Sequence, residues 1–152
     1  MTPRITHVLE TALYVADLDR AAAFYRRLFG FPEFMRDARM CALGVPGAQV
    51  LLLFRQGATT APSRTPGGII PPHDGQGRLH LCFAIPAADL EGWQARLAAQ
   101  GVAVESRVVW PGGLSVSLYF RDPDEHSLEL ATPRLWPNYV ASADASPPAP
   151  AG

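Results

Sequence analysis

The run Leu9-Glu10-Thr11-Ala12-Leu13-Tyr14-Val15-Ala16-Asp17-Leu18-Asp19-Arg20-Ala21-Ala22-Ala23-Phe24-Tyr25-Arg26-Arg27-Leu28-Phe29-Gly30 reads as a strand, a cap, a helix and a stop. The alternation over residues 9–15 has the period of a half-buried strand. Asp17 or Asp19 then offers a capping carboxylate, and Leu18, Ala21, Ala22, Tyr25 and Leu28 or Phe29 share one stripe at helical spacing. Gly30 ends the helix, where a residue free to take positive φ is favoured. Short strands follow near residues 33–36, 40–43 and 49–55.

The order then repeats about 70 residues further on. A strand over 79–85 leads to a helix over about 88–100, started by Asp89-Leu90 as Asp17-Leu18 starts the first, and closed by Gly101. Strands near 102–109, 115–121 and 127–131 follow. The spacing predicts an α+β fold of two βαβββ modules, about 7–55 and 78–132, within a single domain over 1–135. Two copies point to a duplication closing on itself, not to a solenoid. The connecting loop, 56–77, is rich in Gly, Pro, Ser and Thr; loops beyond about 15 residues in a compact domain are usually functional, so it is expected to border a site, with a mobile tip. Residues 136–152, rich in Pro and Ala, read as a flexible tail.

The chain has 152 residues, 13 basic against 14 acidic, and every basic residue is arginine. Without lysine there is no Schiff-base chemistry and no phosphate-loop lysine. The near-neutral charge, with no basic run, argues against nucleic acid as partner. No apolar run approaches the ~18 residues of a membrane span and the amino terminus lacks a signal-peptide core, so a cytoplasmic protein acting on a small molecule is expected, with no membrane partner. Cys41 and Cys82, with no C-x-x-C pairing, read as reduced core residues.

Strand parity places the chemistry. In the first strand Glu10, Ala12 and Tyr14 share one face. In 79–85 the apolar phase is Leu79, Leu81, Phe83 and Ile85, leaving His80, Cys82 and Ala84 opposite; in 127–131 it is Leu128 and Leu130, leaving Ser127, Glu129 and Ala131. Three ionisable residues, Glu10, His80 and Glu129, thus lie on the side away from the helices, flanked by small residues that suit a cavity wall. Two carboxylates and an imidazole converging there would bind a divalent cation. On pattern alone they equally fit two solvent-facing glutamates and a hydrogen-bonded strand histidine.

Residues 13–25 with Leu28-Phe29-Gly30-Phe31, the run His80-Leu81-Cys82-Phe83-Ala84-Ile85, and Tyr119-Phe120-Arg121-Asp122-Pro123-Asp124-Glu125-His126-Ser127-Leu128-Glu129-Leu130 together resemble the vicinal oxygen chelate superfamily. It includes glyoxalase I, extradiol dioxygenases, fosfomycin-resistance enzymes and bleomycin-resistance proteins. The resemblance spans residues 7–132 and implies two βαβββ modules whose strands form a curved mixed sheet around a central cavity. It implies metal ligands at Glu10, where relatives usually carry histidine, at His80 and at Glu129. The fourth position of glyoxalase I falls on Leu52, which cannot ligate, so a three-ligand site is implied. One divalent metal (Mn, Fe, Zn or Ni) would act there on a substrate with neighbouring oxygens, by lyase, isomerase or dioxygenase chemistry. Tyr119, ten residues before Glu129, matches a tyrosine that relatives place near the metal, with Ser117 on its face; it faces Glu129 if the connection spans Pro123 to Glu125, whereas a four-residue turn would pair Leu118 with Glu129 instead. Pairing of modules within or between chains implies a homodimer. The alternative the resemblance allows is a metal-free protein similar to bleomycin-resistance proteins, sequestering a small molecule.

The other candidates read as follows. His7 is out of phase with Glu10, and His126, out of phase with Glu129, is expected at the surface. His73 on the long loop could reach the cavity as an acid or base, with solvent exposure as the competing reading. Trp110 could wall a pocket or simply pack. Glu125 stands where the resemblance puts glycine in the turn, so an altered turn conformation is expected.

Overall fold

Asp17 takes an extended backbone (φ −133°, ψ 112°), and its side chain accepts hydrogen bonds from the backbone N–H groups of Asp19 and Arg20. In this computed structural model, which describes residues 1–139, that cap starts α1 (Leu18–Phe29), and Gly30 at φ +74° closes it by donating to the Arg26 carbonyl. The helix buries Ala21, Ala22, Phe24, Tyr25 and Leu28, the expected stripe with Phe24 added and Leu18 only half-buried. The described chain forms two compact units, residues 1–79 with 122–126, and residues 80–121 with 127 onward.

In the first unit, β1 (Glu10–Val15), β2 (Glu33–Arg36), β3 (Met40–Val45) and β4 (Gln49–Arg55) form a sheet in the order β1-β4-β3-β2. β1 runs parallel to β4, with Glu10 opposite Val50 and Ala12 opposite Leu52, and the other pairs are antiparallel. Parallel neighbours need a crossover, and α1 with β2 and β3 supplies it. Leu13, Val15, Leu43, Leu51 and Leu53 are buried with the helix stripe. The long loop holds a hairpin that its composition did not announce, β5 (Ser63–Thr65) and β6 (Gly68–Ile70).

Residues 122–126 are tied into this unit by polar contacts. Tyr25 donates to Asp122 Oδ2 (2.8 Å), and Asp122 Oδ1 accepts from the N–H groups of Asp124 and His126 (2.9 Å each). The backbone N–H of Ala16 donates to Asp124 Oδ1 (2.7 Å), which also pairs with Arg20 (3.6 Å). His126 is 1% exposed, which overturns its expected surface position. Its Nδ1 accepts from the Leu79 N–H (3.0 Å) and its Nε2 donates to the Tyr14 carbonyl (2.9 Å). One neutral tautomer satisfies both bonds, so the imidazole is a structural strut.

In the second unit, β7 (His80–Ala84), β8 (Ser106–Val109), β9 (Val116–Arg121) and β10 (Ser127–Ala131) repeat the arrangement in the order β7-β10-β9-β8, with β7 parallel to β10. Its helix α2 spans Leu90–Ala99 and is preceded by a short 3-10 turn, Ala87–Asp89. Asp89 therefore marks the helix start without capping it: its backbone is already helical and its side chain makes no cap bond. The strand expected over 102–109 begins only at Ser106, because the Val102 N–H still caps α2 by donating to the Leu97 carbonyl (2.9 Å).

No described helix is long and apolar enough to cross a membrane. Most of the expected tail, residues 140–152, lies outside the described residues. Of its beginning, Trp136 and Tyr139 are joined by a turn, and the Tyr139 hydroxyl lies 3.5 Å from the Ile85 carbonyl.

Candidate functional site

The second unit gathers a polar cluster on one sheet face. β10 is central, and its Glu129 pairs in register with Cys82 on β7 and with Tyr119 on β9. That register puts Tyr119, not Leu118, opposite the glutamate. Glu129 is 3% exposed, too buried for a solvent-facing glutamate, and it is held from two sides. Trp110 Nε1–H donates to Ser117 Oγ (2.8 Å), and Ser117 donates in turn to Glu129 Oε1 (2.5 Å). Trp110 thus supports Ser117, and Ser117 orients the carboxylate.

Glu129 Oε2 faces His80 Nε2 at 3.3 Å. The other ring nitrogen of His80, Nδ1, lies 3.0 Å from the Ser127 carbonyl. A carbonyl only accepts, so Nδ1 carries the proton, and in the neutral ring Nε2 presents its lone pair to a carboxylate oxygen. Two acceptors at 3.3 Å call for a cation between them, either a second proton on the ring or a metal ion. A backbone carbonyl fixing the tautomer is the usual support of a metal-ligating histidine. Ligands about 2.1 Å from a metal stand roughly 3.0–3.4 Å apart at octahedral or tetrahedral angles. The pair fits such an ion on both counts.

Tyr119 lies beside them, its ring 6.3 Å from that of His80 and nearly parallel to it. Burial, then the hydrogen bond and charge of Glu129, push its phenol pKa up, so it stays protonated at neutral pH. Cys82 is free and exposed, which corrects its expected place in the core; Cys41 is free and buried as expected. Although Cys82 is exposed as a whole, desolvation of its sulfur by the groups packed around it, and then the Glu129 carboxylate, push the thiol to about 12, so it is a poor nucleophile here.

Glu10 is in the first unit, exposed at the first residue of β1. Among the described residues no three His, Cys, Asp or Glu side chains form a group able to hold a metal. Of the three ligands expected from the sequence, His80 and Glu129 lie together in the second unit, and Glu10 lies in the first.

Glu10 instead borders a cavity of about 410 Å³. Its walls are Ala42 on β3, Val50, Leu52 and Phe54 on β4, Phe34, Met35, Arg39 and Met40, and Thr59, Ala61, Ser63, Ile70, Pro71 and His73 of the long loop. The loop does border a pocket, and Leu52 serves as its wall. His73 lies on that wall, a position parity could not give because loop residues have no phase. Arg39, absent from the sequence candidates, also lines it, reaching Ser63 Oγ (3.1 Å). His7 is exposed, before the first strand.

A family model described as Glyoxalase/Bleomycin resistance protein/Dioxygenase superfamily matches residues 4–130. Biphenyl-2,3-diol 1,2-dioxygenase 3 of Rhodococcus globerulus is 29% identical over 147 residues, covering 92% of this chain and 71% of that protein. Metallothiol transferase FosB of Shouchella clausii (strain KSM-K16) is 26% identical over 124 residues, covering 80% of this chain and 76% of that one. Among solved structures, the lactoylglutathione lyase of Agrobacterium tumefaciens superposes with a TM-score of 0.80 at 34% identity, covering 89% of this chain and 99% of its own.

Proposed function

Because the chain belongs to the glyoxalase/bleomycin resistance protein/dioxygenase superfamily, we propose that it is an enzyme that uses one divalent metal ion to act on a small substrate with neighbouring oxygens. The reaction is of the lyase, isomerase or dioxygenase type. The observation that carries this reading is the His80–Glu129 pair: an Nε2 lone pair and a carboxylate oxygen 3.3 Å apart, with the tautomer fixed by Ser127. Similarity to a protein named a metallothiol transferase adds support.

His80 and Glu129 are the two ligands this unit supplies, and Glu10 is the third. Two carboxylates and one imidazole favour Mn²⁺ or Fe²⁺ over softer alternatives, with Zn²⁺ and Ni²⁺ compatible. Such an ion, when bound, supplies Lewis acidity to adjacent substrate oxygens and stabilises negative charge developing on them. Ser117 holds the Glu129 carboxylate in place, Ser127 holds the His80 tautomer, and Tyr119 contributes a neutral phenol that donates a hydrogen bond or proton to a substrate oxygen.

Glu10 joins the pair in a homodimer, the first module of one copy supplying it to the second module of the other. Ile5, Val8, Leu9, Phe34 and Met35 are all more than half exposed. Apolar surface of this kind, beside Glu10, is what a second copy would cover.

Elemental analysis of untagged protein tests the reading. About one divalent metal per chain, lost in His80→Ala and in Glu129→Gln, is expected. No metal after reconstitution with Mn²⁺, Fe²⁺, Zn²⁺ and Ni²⁺ would favour the second reading, a metal-free protein that sequesters a small molecule. The apolar cavity of the first unit is the observation on its side.

A further inference from the structure

His73 is held more rigidly than a loop histidine needs to be. Its backbone N–H donates to the Thr59 carbonyl (3.0 Å), and the Thr59 hydroxyl donates back to the His73 carbonyl (2.5 Å). Its ring stands edge-on to Phe54 at 4.7 Å and to Tyr14 at 5.9 Å. The Tyr14 hydroxyl lies 2.6 Å from Nδ1. Gly75 lets this happen, because a Cβ there would collide with the Tyr14 ring.

The Tyr14 hydroxyl fixes the tautomer. Its hydrogen has no other acceptor among the described contacts, and a phenol is the stronger donor and an imidazole nitrogen the stronger acceptor, so the hydroxyl donates to Nδ1. Burial and the nearby Asp74 carboxylate push the phenol pKa up, which keeps that hydrogen in place. The neutral His73 ring then carries its proton on Nε2, and no protein acceptor is found for that N–H among the described contacts. It belongs to a wall that is otherwise mostly carbon: Phe34, Met35, Met40, Leu52, Phe54 and Ile70 line the same cavity of about 410 Å³. Glu10 and Arg39 also line it, Arg39 being engaged by Ser63 Oγ (3.1 Å), so His73 supplies a fixed neutral donor on a largely apolar wall, and a ligand lacking an acceptor leaves that donor unmatched whenever it displaces water.

We infer that the cavity of the first unit binds a small, predominantly apolar molecule of about the size of a substituted aromatic ring, and that the Nε2–H of His73 selects one carrying a carbonyl or similar acceptor oxygen. As a statement of the substrate class of the proposed enzyme, the inference rests on the reading above. As a statement of what this cavity binds, it is independent of the metal.

The test uses two probes of nearly the same shape, acetophenone and α-methylstyrene, which differ in a carbonyl oxygen against a methylene group. Binding to full-length protein is followed by ¹H–¹⁵N NMR titration in EDTA, so that failure of the metal reading cannot mask the result. The expected result is saturable binding of acetophenone that shifts the amides of Val50, Leu52 and Phe54, at least fivefold tighter than α-methylstyrene. His73→Phe should remove that preference while retaining apolar binding, and His73→Gln, which keeps a donor, should restore part of it. Equal binding of the two probes, or a preference unchanged in His73→Phe, would overturn the role of His73. Absence of shifts at β4 with either probe, including the outcome in which a second copy already fills the cavity, would overturn the site. Metal content of the same samples reports on the enzyme reading separately.

Discussion

Glu125 adopts φ +66°, a conformation that glycine takes freely and that costs an L-residue with a Cβ roughly 1–2 kcal/mol. The turn holds this glutamate in the left-handed backbone conformation that glycine takes without strain. The reason lies in the residues on either side, since Asp122 Oδ1 binds the backbone N–H groups of both Asp124 and His126 and leaves little freedom between them. Glu125→Gly should therefore raise stability by about 1 kcal/mol, seen as a higher denaturant midpoint at unchanged slope. His126 shows where reading at this scale fails. Parity put it out of phase with Glu129, but being out of phase with one site does not imply solvent. The acceptor for its Nε2–H is the Tyr14 carbonyl, 112 residues earlier in the chain, and nothing local announces so distant a partner.

The two helices begin on the same Asp-Leu pair, yet only one pair is a cap. Asp17 accepts two backbone N–H groups, whereas Asp89 sits at φ −91°, ψ −3° with no side-chain cap bond. Asp17→Ala should cost about 1 kcal/mol of stability and Asp89→Ala only a few tenths, measured by chemical unfolding of both variants. The segment 122–126 carries a pH signature of its own. Burial raises the Asp122 pKa from 3.8, against the lowering effects of Tyr25 and His126. A carboxyl whose folded pKa is raised binds its proton more tightly in the folded state, so its contribution to stability is greatest in acid and falls as pH rises through the folded pKa. The stability of the native protein relative to Asp122→Asn should accordingly grow as the pH is lowered from 7 to 4, by unfolding titrations at each pH; a flat difference would contradict the shift. Element positions were legible in the sequence because alternation, the Asp-Leu starts and the closing glycines are local signals. The β5–β6 hairpin and the late start of β8 were not, since one is a three-residue pairing within a loop and the other depends on how α2 ends.

At the scale of the whole molecule, the sequence placed His80 and Glu129 on one face of their strands, and the sheet order brings them to 3.3 Å because β7 and β10 are parallel neighbours in register. It could not show whether Glu10 joins them, since alternation gives the face a residue occupies but not which copy of that face it meets. Proposed assembly from two copies makes a sharp prediction. Glu10→Ala and His80→Ala each remove a ligand, so homodimers of either should lack tightly bound metal. Co-expressed with different tags and purified as the mixed dimer, the two variants would leave one site missing both residues and one site intact, with Glu10 from the His80→Ala copy and His80 and Glu129 from the Glu10→Ala copy. That dimer should hold roughly half the metal of the native protein. A site built within each chain would give a mixed dimer as empty as its parents, because every chain would then carry its own defect. Gel filtration of the native protein decides the remaining case: a monomer that binds metal through Glu10 would require the two modules of one chain to complete the site themselves.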